Sequence, residues 1–561
     1  MIACLLVWAW AAGVGWLVGT AVLRVLGAAG VRGPWPERPV TILFGLCCCV
    51  VLGGAWSLAA PLGLPAAAAG IALLAASLAI VLVVPAQAPQ TELRAREVTL
   101  LVSLLIGLAA AVALAQTASP IAVADTALYH IQAIRWIEQY AAVPGLANLH
   151  DRLAFSAPWF EAQALFDPVL LGGWPVFALN GMVFVAAVSF FLCGIGGSGG
   201  ERVSLSRLLR LGCVPAAFWL LRRGLSSASP DGALALLSWM VLVLLAETME
   251  RGEPTTVDAT AWVITALASF AAMTKLSAAP LLVAPACLVA HNLRRDRRRA
   301  LALAGLTVAV AAPFVARNVI VSGYLVFPVP WTRVPGLDWA VPPARVARLV
   351  EQIGDWARLP NRSAVPALDV AVWFPAWVRS LTVVEQLCLA ALPVLGIVHI
   401  ALMVRRAPGR RFPEWPPGAT WLIAVPLAGT LLWLLSAPDP RFGWGFFPFL
   451  ALVLTASLLQ RWIARVPRWA VVLLLAVVLV DQGRRVLAYE RQSLQGHWLW
   501  PVPPPVVETR EVRVGGLTVR VPEAAAPCWD APPPCVPAIP PGLTPRGATL
   551  AAGFSIARPK P

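Results

Sequence analysis

Long apolar runs separated by short charged loops dominate this chain. A helix needs about 20 consecutive apolar residues to cross a bilayer, and runs near this length lie at about 2–22, 41–60, 67–85, 99–119, 168–194, 207–221, 231–248, 259–274, 276–291, 300–320, 381–404, 419–436, 443–459 and 469–487. Only 13% of the residues are charged, whereas soluble domains carry about 25%. The pattern predicts an all-α polytopic membrane protein with about fourteen transmembrane helices.

The arginines indicate an orientation. They form short clusters between the runs, for example from Arg294 to Arg299 and at Arg405, Arg406, Arg410 and Arg411, and such clusters are typical of cytoplasmic loops. Alternating the spans then puts both termini outside. The first run lacks a basic segment before it, so it is predicted to stay as a span. These loop arginines account for the net charge of +15, so no nucleic-acid partner is expected. The chain is predicted to be a multi-pass protein of the cytoplasmic (inner) membrane.

The rhythm of spans divides the chain into two predicted parts. Residues 1–487 form the transmembrane domain, with two long outer loops at about 120–167 and 321–380, and residues 488–561 form a Pro-rich extracytoplasmic tail. The tail contains TREVRV and LTVRV joined by Gly515-Gly516, a pattern that predicts a small β-hairpin.

Two cysteines of the tail stand apart from the apolar runs. Cys528 and Cys535 flank CWDAPPPC on the side predicted to be outside, where disulfides persist, so we predict that they pair. A zinc site is the competing interpretation. Two cysteines with no nearby histidine supply too few ligands for it.

The segment ADTALYHIQAIRWIEQY, residues 124–140, is polar and helix-patterned, and it directly follows an apolar run. A uniform helix of 100° per residue places one stripe on a single face, made of Asp125, Tyr129, Gln132, Trp136 and Gln139. Asp125 has two interpretations. It caps the helix, because aspartate is a favoured N-cap, or it accepts a proton from a substrate hydroxyl beside Tyr129 and His130. Tyr129 and Trp136 would then offer stacking faces to a substrate.

Basic residues at span ends are the second candidate set. Lys275 interrupts the apolar stretch from about 259 to 291, and of 43 basic residues only it and Lys560 are lysine. It either snorkels to the surface or binds a phosphate. Arg317 and Arg441 also lie at outer span ends; they are interfacial anchors, or they surround a cavity with Lys275 and hold a phosphate or pyrophosphate. Asp231 opens a span and is interpreted as part of a helix start.

These features resemble the GT-C class of glycosyltransferases, which take sugars from polyprenyl-phosphate donors. The resemblance covers about residues 90 to 487 and consists of an acidic residue early in the first long outer loop, amphipathic loop helices, ten or more spans and an extramembrane tail. The chain resembles more closely an uncharacterised group of bacterial integral membrane proteins. This second resemblance lies in the strings ADTALYHIQAIRWIEQY, VPGLANLH, SSASPD, TKLSA, RNVIVSGYLVFP and PRFGWG.

The GT-C resemblance implies roles for the candidates. Asp125 would be the catalytic base, and Tyr129, His130, Gln132, Trp136, Lys275, Arg317 and Arg441 would bind substrate. The donor would be a polyprenyl-phosphate-linked sugar and the acceptor a glycan, lipid or protein. Asp125 lacks the second acidic residue that family members often carry nearby, and about three extra spans precede it.

No cofactor is predicted, a divalent cation is left open, and no metal site is predicted because the five histidines lack ligand spacing. Two other classes stay open. One is a transporter or flippase of lipid-linked glycans, which would use the same basic residues, and the other is a noncatalytic membrane assembly subunit.

Overall fold

The computed structural model describes residues 1–85, 100–166, 176–196, 204–252, 256–359, 370–404, 420–463, 466–523 and 526–557. The arginine cluster from Arg405 to Arg411 lies outside these residues. Most of the described chain is helical.

The α-helices are numbered in chain order. Those of the first half are α1 (Ile2–Ala28), α2 (Arg38–Trp56), α3 (Leu64–Val83), α4 (Leu100–Thr117), α5 (Ile131–Gln139), α6 (Leu146–Leu149), α7 (Pro158–Phe166), α8 (Leu179–Leu192), α9 (Leu205–Ala216), α10 (Pro230–Glu250) and α11 (Ala259–Thr274). Those of the second half are α12 (Val283–Asn292), α13 (Arg297–Ser322), α14 (Pro343–Arg358), α15 (Val370–Ser380), α16 (Val383–Val404), α17 (Thr420–Ser436), α18 (Pro440–Gly443), α19 (Phe447–Ile463) and α20 (Arg468–Leu494).

The helices account for the apolar runs of the sequence. Each of the fourteen predicted runs overlaps a helix, and within the described residues seven helices are long and apolar enough to cross a membrane, namely α1, α2, α3, α4, α10, α13 and α16. Shorter apolar helices lie at Leu179–Ile195, Ala259–Thr274, Leu276–Asn292, Thr420–Ser436 and Phe447–Gln460. The prediction of a largely helical chain with several spans is confirmed, whereas the number fourteen stays a prediction.

The bundle has a buried centre, and its outermost helices expose apolar side chains. In α10, 89% of the apolar window is buried inside the protein, whereas in α3 and α16 the share is 6%. Peripheral helices α1 and α2 approach closely because Gly15 and Gly45 face each other; a Cβ atom on Gly45 would lie 1.9 Å from the Gly15 carbonyl oxygen. Small residues at such crossings let membrane helices pack by van der Waals contact. Central α10 begins with Pro230-Asp231, so it carries a carboxylate at one end of the bundle.

Three stretches far apart in sequence meet at that end, and we call them together the cap: residues 125–166, 323–359 and 509–557, as far as they are described. The Asn148 amide donates to the Trp339 carbonyl at 2.8 Å, and Phe554 N–H donates to Pro144 O at 3.0 Å. Arg546 forms two bonds with Asp338, of 3.0 and 3.1 Å. The two long loops and the tail therefore lie on one side of the bundle.

Two glycines permit the closest contact inside the cap. Gly145 and Gly553 both have positive φ, 64° and 88°. A Cβ atom on Gly145 would lie 2.1 Å from Phe554 O, and one on Gly553 would lie 1.9 Å from Pro144 O. A side chain at either position would be strained and would also separate the tail from the first loop.

The tail is built on the predicted hairpin. β1 (Thr509–Val514) pairs antiparallel with β2 (Leu517–Pro522), with Val514 opposite Leu517 across the Gly515-Gly516 turn. This hairpin prediction is confirmed. A second antiparallel pair, β3 (Leu543–Pro545) and β4 (Phe554–Ile556), was not predicted, because strands of three residues give no recognisable alternation.

Candidate functional site

A cavity of about 310 Å³ lies between the cap and the bundle. Its polar lining comes from the first long loop and from three bundle helices or their ends: Asp125, Tyr129, His130, Arg152, Ser156, Asp231, Thr274, Lys275 and Asn318. Its apolar lining includes Met273, Phe314, Val315, Leu325, Val326, Phe327, Ile353, Trp356 and Phe442. Ion pairs group the charged residues together, and we call this part of the cavity the polar end. The rings of Phe442 and Trp356 also lie against its cations, and such a mix of charged and apolar surface suits an amphiphilic ligand.

A π-helical turn sets the direction of the residues at the polar end. Thr126–His130 forms this turn, and Ile131 N–H closes it by donating to Thr126 O, five residues back. Single π turns often occur at functional sites. The turn adds a residue relative to a uniform α-helix, so the stripe predicted from 100° per residue is divided. Asp125 and Tyr129 line the cavity, whereas Gln132 and Trp136 contact the tail.

The Asp125 carboxylate is held by two arginines. Its Oδ1 lies 3.4 Å from Arg152 Nη1, and its Oδ2 lies 3.2 Å from Arg441 Nη1. The carboxylate accepts no hydrogen bond from the amides of the following turn. Asp125 therefore does not act as a side-chain N-cap, and its carboxylate lines the cavity.

Asp231 and Lys275 form a second pair beside it. Lys275 Nζ lies 2.5 Å from Asp231 Oδ1 and 3.5 Å from the centre of the Phe442 ring. Lys275 stands where α11 ends, in extended conformation before the 3-10 turn Leu276–Leu282. The ammonium is thus directed at a carboxylate and an aromatic face, and does not extend to the surface as snorkelling requires.

The position of Asp231 follows from its own loop. Ser229 caps α10 by accepting from Asp231 N–H at 3.3 Å, and the Asn180 amide of α8 donates to Ser227 O at 2.7 Å and Ser229 O at 2.9 Å. The helix start predicted at Ser229-Pro230-Asp231 is the one observed, but the cap is the serine. The Asp231 carboxylate is left for Lys275.

Arg441 links the carboxylates. Beyond Asp125, its Nη1 lies 3.7 Å from Asp231 Oδ2, and its Nε lies 3.3 Å from Asp439 Oδ1. Burial by itself lowers the pKa of Arg441, but the carboxylates of Asp231, Asp439 and Asp125 outweigh it and raise the pKa above its ordinary value. We call Asp125, Asp231, Asp439, Arg152, Lys275 and Arg441 the cavity network; its three negative charges balance its three positive ones.

Two uncharged titratable groups complete the polar end. Burial lowers the pKa of His130 to about 4, so the imidazole is neutral near pH 7, and its Nδ1 lies 3.1 Å from the Thr126 hydroxyl. Burial, reinforced by the Asp125 carboxylate, raises the pKa of Tyr129 well above its ordinary value. Both side chains offer hydrogen bonds without altering the charge balance.

The remaining predicted residues lie elsewhere. Arg317 is buried, with Nε 3.3 Å from Glu161 Oε1 and Nη1 3.0 Å from Ser57 Oγ, so it does not join Lys275 and Arg441. The Gln132 amide donates to Trp529 O and Ala531 O, and Trp136 packs against Tyr140 and Phe554.

Arg152 is the site residue that the sequence did not single out. It lies in NLHDR, one residue after Asp151, among several similar loop arginines. Its only distinguishing signal is the position within the first long loop. Among the residues described, no three His, Cys, Asp or Glu side chains are grouped to hold a metal ion.

The fold and this cavity define a polytopic membrane protein with a capped, charged cavity at one end of its bundle. A family described as a domain of unknown function, DUF8201, matches residues 1–448, and the chain belongs to this family. The match includes the whole cavity network but ends before the tail. No curated protein matches the chain.

Proposed function

We propose that this protein is an integral membrane glycosyltransferase that transfers a sugar from a polyprenyl-phosphate donor to a glycan, lipid or protein acceptor. The observation that carries the proposal is the cavity, whose lining combines a carboxylate flanked by cations, the first part, with many apolar side chains, the second. A sugar phosphate fits the first part and a polyprenyl chain the second.

The apolar wall gives the lipid a path. Phe314 and Val315 belong to α13, which exposes Leu301 and Val308 nearer its first residue. Leu325 and Val326 form the opposite side in the second long loop. The polyprenyl chain would lie between this loop and α13 and continue into the bilayer beside that helix.

The polar end gives the chemistry. The acceptor hydroxyl oxygen bonds to C1 of the sugar, the bond from C1 to the phosphate oxygen breaks, and the phosphate leaves with the electron pair. Asp125 takes the hydroxyl proton.

Arg152 and Arg441 divide the work in this proposal. The Arg152 side chain is 33% exposed and has one long contact to Asp125, of 3.4 Å, so an arriving phosphate can draw it away. Arg441 is held by three carboxylates and keeps Asp125 in place. Donor binding would then leave Arg441 as the cation paired with Asp125.

The cap is assigned to the outer face of the cytoplasmic membrane, with fourteen spans and both termini outside. This orientation rests on the arginine clusters. An alkaline phosphatase fused after Pro501 should be active, and one fused between Arg294 and Arg299 inactive; the reverse pattern would put Asp125 on the cytoplasmic side.

Asp125→Asn tests the catalytic role. The amide preserves the shape but cannot take the proton, so glycan transfer by purified protein should fall by roughly 10²-fold or more at equal folded amounts. The matched control is Asp338→Asn, which also removes a carboxylate bound by arginine in the cap but lies outside the cavity. Near-normal transfer by Asp125→Asn would exclude Asp125 as the base.

One observation favours a second candidate, a flippase of lipid-linked glycans. The helix between 259 and 292 is broken at Lys275, and transporters bind substrates at broken helices. A flippase predicts movement of a fluorescent lipid-linked sugar across vesicle bilayers without transfer to any acceptor. The same Asp125→Asn protein would then lose movement, with no transferase activity in the wild type.

A further inference from the structure

A short loop of the tail bonds to the helix that follows Asp125. This loop is closed by the disulfide between Cys528 and Cys535, and its tip is Trp529-Asp530-Ala531. We call the loop from Cys528 to Cys535 the clamp. It lies beyond residues 1–448, which match the family.

Three hydrogen bonds through the main chain of the clamp join it to the π turn and to the start of α5. Trp529 N–H donates to Ala127 O at 3.1 Å, inside the turn. The Gln132 amide, one residue after Ile131 closes the turn, donates to Trp529 O at 3.1 Å and Ala531 O at 2.7 Å. The turn that orients Asp125 and His130 is therefore bonded to the clamp within the turn, at Ala127, and just after it, at Gln132.

A charged contact adds to these bonds. Arg135 of α5 donates to both oxygens of Asp530, through Nε at 2.7 Å and Nη2 at 3.3 Å. Arg135 also bonds Glu138 on the same helix. Forked bonds between arginine and carboxylate are strong and fix orientation as well as distance.

The clamp is fixed at its far end too. Cys528 and Cys535 are fully buried, Arg520 N–H of β2 donates to Pro534 O at 2.8 Å, and Val536 N–H donates to Arg520 O at 3.1 Å. A continuous series of bonds thus joins the hairpin, the disulfide and the π turn. The disulfide limits the conformations of the loop before it binds, which lowers the entropy cost of holding the helix.

We propose that the clamp positions the π turn, and that Asp530 is a positioning residue for the cavity. It contacts neither the cavity nor Asp125 and acts through Arg135 and the turn. If residues 126–130 were α-helical, Asp125 would be rotated relative to α5. The clamp bonds at Ala127 and Gln132 oppose this change. The effect on activity rests on the proposed transferase function, whereas the effect on the helix does not.

Asp530→Asn tests the proposal in the full chain. Loss of a charge-assisted pair should speed amide hydrogen exchange in residues 126–135 by about tenfold or more. Transfer should show a lower kcat with unchanged KM for the lipid donor, since Arg152 and Lys275 are untouched. The matched control is again Asp338→Asn, because it removes the forked bond to Arg546 that ties the tail to the second loop.

Unchanged exchange in residues 126–135 of Asp530→Asn would overturn the proposal, as would equal acceleration in Asp338→Asn, which would show only a general tether of the tail. A second variant, Cys528→Ser with Cys535→Ser, should reproduce the accelerated exchange. If Asp530→Asn accelerates exchange while the wild-type protein shows no transfer, the clamp stands and the transferase proposal fails.

Discussion

Two networks of charged side chains in this molecule differ in how completely their charges are paired. The cavity network shares Arg441 among three carboxylates and leaves Arg152 with one contact of 3.4 Å. The other, which we call the closed network, consists of Arg210 with Glu37 and Glu247. It lies at the start of α2 and α9 and the end of α10, the end of the bundle away from the cap.

In the closed network the guanidinium is fully used. Arg210 Nε donates to Glu247 Oε1 at 2.7 Å, Nη2 donates to Glu37 Oε1 at 2.8 Å, and Nη1 donates to Glu37 Oε2 and to Phe190 O at 3.1 and 2.8 Å. The Phe190 ring lies 3.8 Å from Arg210 Cζ. None of these residues lines the cavity.

The comparison shows that buried charge alone does not identify a site in a membrane protein. Both networks contain an arginine shared by carboxylates, and both are costly to break. Only the cavity network faces space that a ligand can enter and includes a cation with capacity to spare. A functional assignment therefore depends on incomplete satisfaction next to a cavity, and the predictions separate these two properties.

The largest effect on stability is expected in the closed network. Arg210→Gln leaves Glu37 and Glu247 without a counter-ion, and breaking such a buried arrangement costs about 3–5 kcal/mol. Transfer per folded molecule should be unchanged, because the variant is remote from the cavity. Denaturation in detergent and activity at equal folded amounts measure the two quantities.

Arg441→Gln is the counterpart in the cavity network and should lower both stability and turnover. If Arg210→Gln also abolished transfer in protein that is still folded, the two networks would not be functionally distinct, and the contrast drawn between them would be wrong.

A smaller effect is expected at Arg152. Arg152→Gln should weaken binding of a polyprenyl-phosphate sugar by about tenfold, the value of one lost charged hydrogen bond. Its stability should change by less than about 0.5 kcal/mol, because the side chain is exposed and singly bonded. Isothermal titration and thermal denaturation check the two parts, and full affinity would remove Arg152 from the donor site.

Lys275 makes a useful comparison with Arg152. Lys275→Met alone leaves the buried Asp231 carboxylate without its closest partner, so it lowers stability as well as affinity. The double variant Asp231→Asn with Lys275→Met removes both charges and should restore much of the stability. Affinity should remain low in the double variant if Lys275 binds phosphate.

The sequence predicts what depends on local periodicity. The apolar runs overlap helices, and alternation around Gly515-Gly516 predicted the hairpin register, since both signals arise within a few residues. The structure also brings Asp125, Lys275 and Arg441 close together. Their catalytic and binding roles stay predictions.

The rest depends on contacts between distant segments. A helical wheel assumes uniform geometry. It therefore could not predict the π turn at Thr126–His130 or the division of the Asp125 stripe. Arg317 looked like a partner of Lys275 by its place at a span end, but Glu161, a lone carboxylate in an apolar segment, binds it. The clamp joins residues about 400 apart, and no local pattern carries that information.

A pH dependence should separate the two ends of the molecule. Burial lowers the pKa of His130 and of His150 to about 4, whereas an unfolded histidine titrates near 6.5. The unfolded chain therefore binds more protons below pH 6.5, and the stability due to neutral histidine is complete above about pH 6.5 and is lost as pH falls towards about 4. Both histidines lie in the cap, and the closed network contains none. Hydrogen exchange should accelerate in residues 126–154 over this range before it does in α10, and the double variant His130→Gln with His150→Gln should flatten the response. Equal acceleration in α10, or a response unaltered in the double variant, would show that the acid sensitivity has another source.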